Sequence, residues 1–177
     1  METFIEVKEF VPNLKFDKQR SKALKKINYK HIDSPIVDII KRLNDLQYFF
    51  TLQCCYGHFL YKNQNDEHNL EPIPKSTEFE EIEYRIAYLA FCIQDTVKGT
   101  KLLNSLRDLT KIDSENIQFG CANWFWKRQA NSFVLQVEPE RYKYFDKASL
   151  QYQEALLIES LRNKFFIELN ALIADRL

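Results

Sequence analysis

Residues 48–62 read YFFTLQCCYGHFLYK, and the way apolar and polar material succeed each other in this stretch decides the fold class. Tyr48 to Leu52 is aromatic and apolar, Gln53 to Gly57 is polar and thiol-bearing, and apolar residues resume from His58 to Lys62. Aromatic residues of this kind suit a pleated surface, so the stretch predicts strand, turn, strand. Gly57 is the residue of the turn that takes positive φ at little cost.

Upstream, Ser34-Pro35 predicts a helix start, because a serine oxygen accepts from orphan first-turn amides and proline lacks the amide that would go unpaired. Ile36, Ile39, Ile40, Leu43 and Leu46 then recur at helical spacing. Before them, Asp17 to Ile27 predicts a basic surface helix, with six Lys or Arg between Lys18 and Lys30. Downstream, Asn63 to Ser76 holds Pro72 and Pro74 and reads as a surface loop. Tyr84 to Ile93 is almost wholly apolar and predicts a strand covered on both faces. Asp95 is placed to cap a helix running to about Leu109, in which Gly99 implies tight packing against a strand. Asn116 to Trp126 and Ser132 to Glu138 predict two more strands, joined by a basic tip. Ser149 to about Ile173 predicts a long helix with Leu157, Leu161, Phe165, Leu169 and Leu172 on its buried stripe. The expected architecture is a single α/β domain over 1–177, of α+β type, with a mixed sheet, basic N-terminal helices and a long C-terminal helix.

Composition agrees and excludes several functions. A chain of 177 residues, 45% hydrophobic and 14% aromatic, buries roughly two thirds of its unfolded surface. Three glycines in the whole chain leave no material for a glycine-rich phosphate loop. Twenty-five Lys and Arg balance 25 Asp and Glu, so attraction to nucleic acid would rest on local patches. Neither a signal-peptide pattern nor a long charge-free apolar run occurs, and the expected location is cytoplasmic, with no membrane partner. Cys54, Cys55, Cys92 and Cys121 include no spaced C-x-x-C, and His31, His58 and His68 sit in separate segments, so no metal site is expected.

Three readings of Cys55-Tyr56-Gly57-His58 stay open. It is a ligand-binding turn whose amides receive an anion, an ordinary hairpin turn with buried thiols, or a cysteine–histidine pair with an activated thiolate. Lys25 and Lys26, together with Trp126, Lys127 and Arg128, are the candidate nucleic-acid contacts, with core packing the competing role for the tryptophans.

The order of elements and three anchors resemble the tRNA wybutosine-synthesising protein 3 family over about 16–172. The first anchor runs from a helix ending in Leu43-Asn44, through Tyr48-Phe49-Phe50-Thr51, to Cys55-Tyr56-Gly57-His58. The family writes Thr-Thr-Ser-Ser-Cys-Ser-Gly-Arg there. The others are the apolar strand and helix over Tyr84 to Leu109 and the C-terminal helix from Tyr152, with Asn163-Lys164 placed like a similar pair in the family. The resemblance implies S-adenosylmethionine-dependent methylation of a wybutosine-type tRNA base. It implies a donor site at Thr51, Cys55, Tyr56 and Gly57, with His58 the candidate catalytic group for the acceptor's proton. The chain departs from the family at Gln53-Cys54, at Tyr56, at His58 in place of arginine and at Ala90 in place of histidine. Those departures define the alternative, a non-catalytic binding or assembly protein that keeps the fold.

Overall fold

The computed structural model describes residues 4–5, 7–64, 66–75, 80–122 and 129–174. In it, β2 (Phe49–Cys55) and β3 (His58–Leu60) are not a hairpin but the two halves of one bent strand. Their partner is bent at the same level, as β4 (Glu81–Arg85) and β5 (Ala87–Ile93). Register runs on through the bend, with Cys55 opposite Tyr88 and His58 opposite Arg85. The result is one antiparallel ribbon that passes from a larger sheet into a smaller one, the way strands make corners between packed sheets.

The larger sheet has the order β1-β6-β7-β5-β2, with β1 Phe4–Ile5, β6 Ile117–Ala122 and β7 Ser132–Val137. The smaller has the order β3-β4-β8, with β8 Lys147–Gln151. Every pairing is antiparallel, which corrects the expected mixed sheet. The bent ribbon is the reason: segments that read as separate strands continue one another, and among the described residues no crossover brings neighbours in parallel. The α+β class is as expected.

Helices α1 (Phe16–Lys26), α2 (Val37–Asp45), α3 (Val97–Asp108) and α4 (Tyr152–Ala174) complete the domain. The main core joins Phe49, Leu89, Phe91 and Phe133 of the larger sheet to Ile82, Tyr84 and Leu150 of the smaller, under α2, α3 and α4. The other face of the larger sheet carries Phe50 and Cys92, covered by Phe16 of α1 at 5.4 Å between ring centroids. Asn44, at the end of α2, accepts the Thr51 amide at 2.8 Å and so ties that helix to β2.

Several local expectations shift. Helix α2 starts at Val37, because Asp33 to Ile36 form a turn closed by the Ile36 amide on the Asp33 carbonyl. Thr96, not Asp95, caps α3, its hydroxyl accepting from the Gly99 amide at 3.0 Å. Gly99 itself does pack tightly, since an added Cβ would clash with the Gln94 carbonyl oxygen. Residues 147–151 are a strand, with alternate burial at Ala148 and Leu150, and the last helix begins only at Tyr152. The buried stripe of α4 is Ala155, Ile158, Arg162, Phe165, Phe166, Leu169 and Ile173, with Leu161 beside it; Leu157 is about half exposed. That helix is apolar on most sides, so sequence periodicity alone left its rotation open.

Candidate functional site

The bend brings together side chains that are far apart in sequence. At Gly57 φ is +89°, and an added Cβ would lie 2.8 Å from Ala87 Cβ and 3.0 Å from the Tyr84 ring. Glycine here lets two strands approach at a corner rather than closing a hairpin. Tyr84 locks the corner, donating from its hydroxyl to the Val137 carbonyl and accepting the Ala87 amide, both at 2.9 Å.

On the other side of the bend, Asp33, Cys55 and His58 place ligand-type atoms within 4.8 Å of one another. The Asp33 carboxylate accepts the Tyr56 amide at 2.7 Å and lies 3.4 Å from His58 Nε2. His58 Nδ1 meets the Asn69 carbonyl at 3.1 Å. The Gly57 amide points at Cys55 Sγ, at 3.4 Å. His58 is only 3% exposed, closed over by the segment that carries buried Asn69, which the sequence presents as plain surface loop. His68, exposed, sets its ring edge-on to that of His58 with centroids 5.7 Å apart.

Electrostatics follow from these contacts. Burial alone would favour neutral imidazole, but the hydrogen bonds to Asp33 and Cys55 outweigh it and raise the His58 pKa to about 10. Burial likewise works to raise Asp33, but the His58 bond and the Tyr56 amide hold it below the usual carboxylate value. With an acceptor at each ring nitrogen, the imidazolium has no free lone pair, which removes the basis for His58 as proton acceptor. The amides of Tyr56 and Gly57 are also engaged within the chain, so the bend offers no anion nest at these two residues.

Arg162 of α4 braces the bend from below. It is 3% exposed, donates from Nη1 to the Gly57 carbonyl at 2.9 Å, and bonds Asn163 Oδ1 through Nε and Nη2. Its guanidinium lies 4.3 Å from the Tyr56 ring centroid and 5.1 Å from that of Phe59. Tyr56 in turn donates to Asn163 Oδ1 at 2.8 Å and packs on Phe166. Beside it, Pro35, Asp38, Ile39, Asn163, Ile167 and Asn170 line an open groove of about 590 Å³ between α2 and α4.

Of the sequence-nominated residues, Cys55, Tyr56, Gly57 and His58 are thus gathered at the bend. Thr51 is not: it is buried within β2, and its hydroxyl has no hydrogen-bond partner among the described residues. Lys25 and Lys26 are exposed in the last turn of α1, where they also complement the helix dipole. Trp126, Lys127 and Arg128 lie outside the described residues. Sequence reading missed Asp33, Asn69 and Arg162. A signal existed only for Arg162, a charged residue four positions from Ile158 and Phe166 on an apolar helix.

A buried acid stands apart, at the end of β7. Glu138 is fully buried, Oε1 accepts from Gln136 at 2.7 Å, and Oε2 has no partner among the described residues. Burial, helped by repulsion from Asp146, raises its pKa to about 9. The fold therefore holds a proton that the unfolded chain releases near its ordinary value of 4.5. Stability is fullest below that value and falls as pH rises towards 9. Glu138→Gln removes this slope. Urea unfolding at about pH 8 should show the variant more stable by about 1–3 kcal/mol, with the gap closing near about pH 4.

No described helix is long and apolar enough to cross a membrane. No family model and no curated protein matches the chain. Among solved structures, it is similar to the PH1069 protein from Pyrococcus horikoshii at TM-score 0.52 and 13% identity, over 90% of this chain and 95% of that one. A structure of PH1069 from Pyrococcus horikoshii OT3 aligns at TM-score 0.48 and 12% identity, over 92% and 93% of the two chains. A hypothetical protein from Aeropyrum pernix aligns at TM-score 0.39 and 13% identity, over 81% and 96%. At this identity, the first likeness shows a shared fold.

Proposed function

We propose that the protein is a divergent S-adenosylmethionine-binding protein of the wybutosine-type tRNA-modification class, with its donor site in the groove between α2 and α4. The groove itself carries this reading: it is lined by the aromatic side chains of Tyr56 and Phe166, the amide groups of Asn163 and Asn170, and the Asp38 carboxylate, beside the resemblance's best anchor. An adenosyl group needs a flat apolar contact for the base, an acceptor for ribose hydroxyls or the amino group, and donors for the carboxylate. Asp38, Tyr56 and Asn163 are of those types. In such a site the methyl group passes from sulfonium sulfur to a base nitrogen, and S-adenosylhomocysteine leaves. With both His58 nitrogens engaged, the nitrogen's proton goes to solvent. The exposed Lys25 and Lys26 are the described candidates for contact with tRNA phosphates.

A second reading has its own support. The engaged amides of Tyr56 and Gly57 and the enclosed His58 favour a non-catalytic binding or assembly protein that keeps the fold. Calorimetric titration with S-adenosylmethionine separates the two. Ile167 is 67% exposed, so Ile167→Arg should fold normally while placing a cation against the sulfonium. Saturable binding, weakened about tenfold or more in that variant, supports the donor groove. Absence of binding to the wild type at millimolar ligand leaves the non-catalytic reading.

A further inference from the structure

We propose that Asp33, Cys55 and His58 form a binding site for one zinc-class divalent metal ion. A thiol, an imidazole and a carboxylate, drawn from two separate segments, converge with their ligand-type atoms within 4.8 Å of one another. Residue spacing carries no sign of this set; the bend at Gly57 and the turn before α2 create it.

The spacing that serves the Asp33–His58 ion pair also accommodates a metal ion between the two groups. A charge-assisted N–H···O bond between imidazolium and carboxylate is about 2.7–2.9 Å long. His58 Nε2 and Asp33 Oδ2 stand 3.4 Å apart. In a tetrahedral zinc centre, bonds of about 2.0–2.1 Å to nitrogen and oxygen put those two ligand atoms about 3.4 Å from each other. The pair is already at the edge length that a tetrahedron requires.

The surrounding contacts are those that ligands need. The Asn69 carbonyl at His58 Nδ1, 3.1 Å away, holds the tautomer that presents Nε2 to a metal. The Tyr56 amide orients the Asp33 carboxylate at 2.7 Å, and the Gly57 amide approaches Cys55 Sγ at 3.4 Å. Binding needs the thiolate and neutral imidazole, so it releases their protons to solvent. Sulfur and nitrogen donors select zinc-like ions over magnesium or calcium. Asp33 and Cys55 are only half-buried, which leaves an approach from solvent. Three protein ligands leave the fourth position of a tetrahedral ion to solvent, and the exposed His68 ring stands edge-on to His58 with centroids 5.7 Å apart.

Cobalt(II) tests this directly, since it takes zinc-type sites and is coloured. The chelator-stripped protein, titrated with Co²⁺, should gain a thiolate-to-cobalt charge-transfer band and the visible bands of a four-coordinate centre, saturating at one ion per chain and bleached by Zn²⁺. Cys55→Ser should lose the charge-transfer band, Asp33→Asn should bind at least about tenfold more weakly, and Cys54→Ser should keep the band. In the wild type, Zn²⁺ should protect Cys55 from alkylation, a readout that needs no variant to fold. Absence of a saturable band, a band that survives Cys55→Ser, or equal alkylation of Cys55 with and without Zn²⁺ would each overturn the site. This inference does not rest on the adenosyl reading: a chain that binds cobalt but no S-adenosylmethionine keeps the metal site and loses the donor groove.

Discussion

Gly57→Ala is expected to destabilise the fold by about 2–6 kcal/mol, combining about 1–3 for a strained backbone and about 1–3 for overpacking. The backbone cost arises because φ is +89°, a conformation that side-chain-bearing residues rarely adopt. The packing cost arises because the new methyl would meet Ala87 Cβ at 2.8 Å, on the facing strand. Tyr84, the other neighbour, cannot yield easily, since its hydroxyl is held by Val137 and Ala87. Domains of this kind are stable by about 5–15 kcal/mol in total, so the larger valines or leucines should prevent folding. Chemical denaturation of Gly57→Ala decides the matter, and a loss below about 1 kcal/mol would mean that the strand does not bend as described. The same argument explains why ligand binding is better tested at Ile167 than at Gly57.

Arg162→Ala should cost about 3–5 kcal/mol, the range for removing one member of a buried ion pair. Its loss leaves the Gly57 carbonyl without its donor and Glu159, 3.7 Å from Nη2, without its cation. Glu159 also accepts the Ile73 amide, so the loop over His58 should loosen with it. Arg162→Lys should recover only part of the loss. An ammonium cannot serve Gly57 and Asn163 through separate nitrogens while lying flat between Tyr56 and Phe59. If lysine restores full stability, the planar fork is not what braces the bend. A shared dependence on the bend predicts that Gly57→Ala and Arg162→Ala are non-additive in the double variant.

Much of the fold was legible because burial is periodic. The apolar spacing of Ile36, Ile39, Ile40 and Leu43 placed α2 within a turn, and the unbroken apolar run before Gln94 placed β5 in the sheet. Reading failed where one local signal has two tertiary meanings. A glycine between apolar segments marks a hairpin or a bent strand, and the residues flanking Gly57 are compatible with both. The alternation at 147–151 was a strand signal overshadowed by the long helix that follows it. The face of α4 was not readable, because a helix apolar on most sides has no unique stripe.

The candidate site divides in the same way. Cys55, Tyr56, Gly57 and His58 were identifiable from the chain alone, since a rare glycine, a thiol and an imidazole stand together in sequence. By itself, the sequence determined an α+β domain with an aromatic core, the helices and most strands, and a chemically unusual segment at 55–58. Those follow from local propensity and the periodic burial of side chains, which neighbouring residues encode. Only the tertiary structure decided that this segment is a bend between two sheets, that Asp33 and Asn69 close on His58, and that Arg162 braces it from 105 residues away. Such contacts depend on how strands pair and turn in space, and sequence distance carries no information about that.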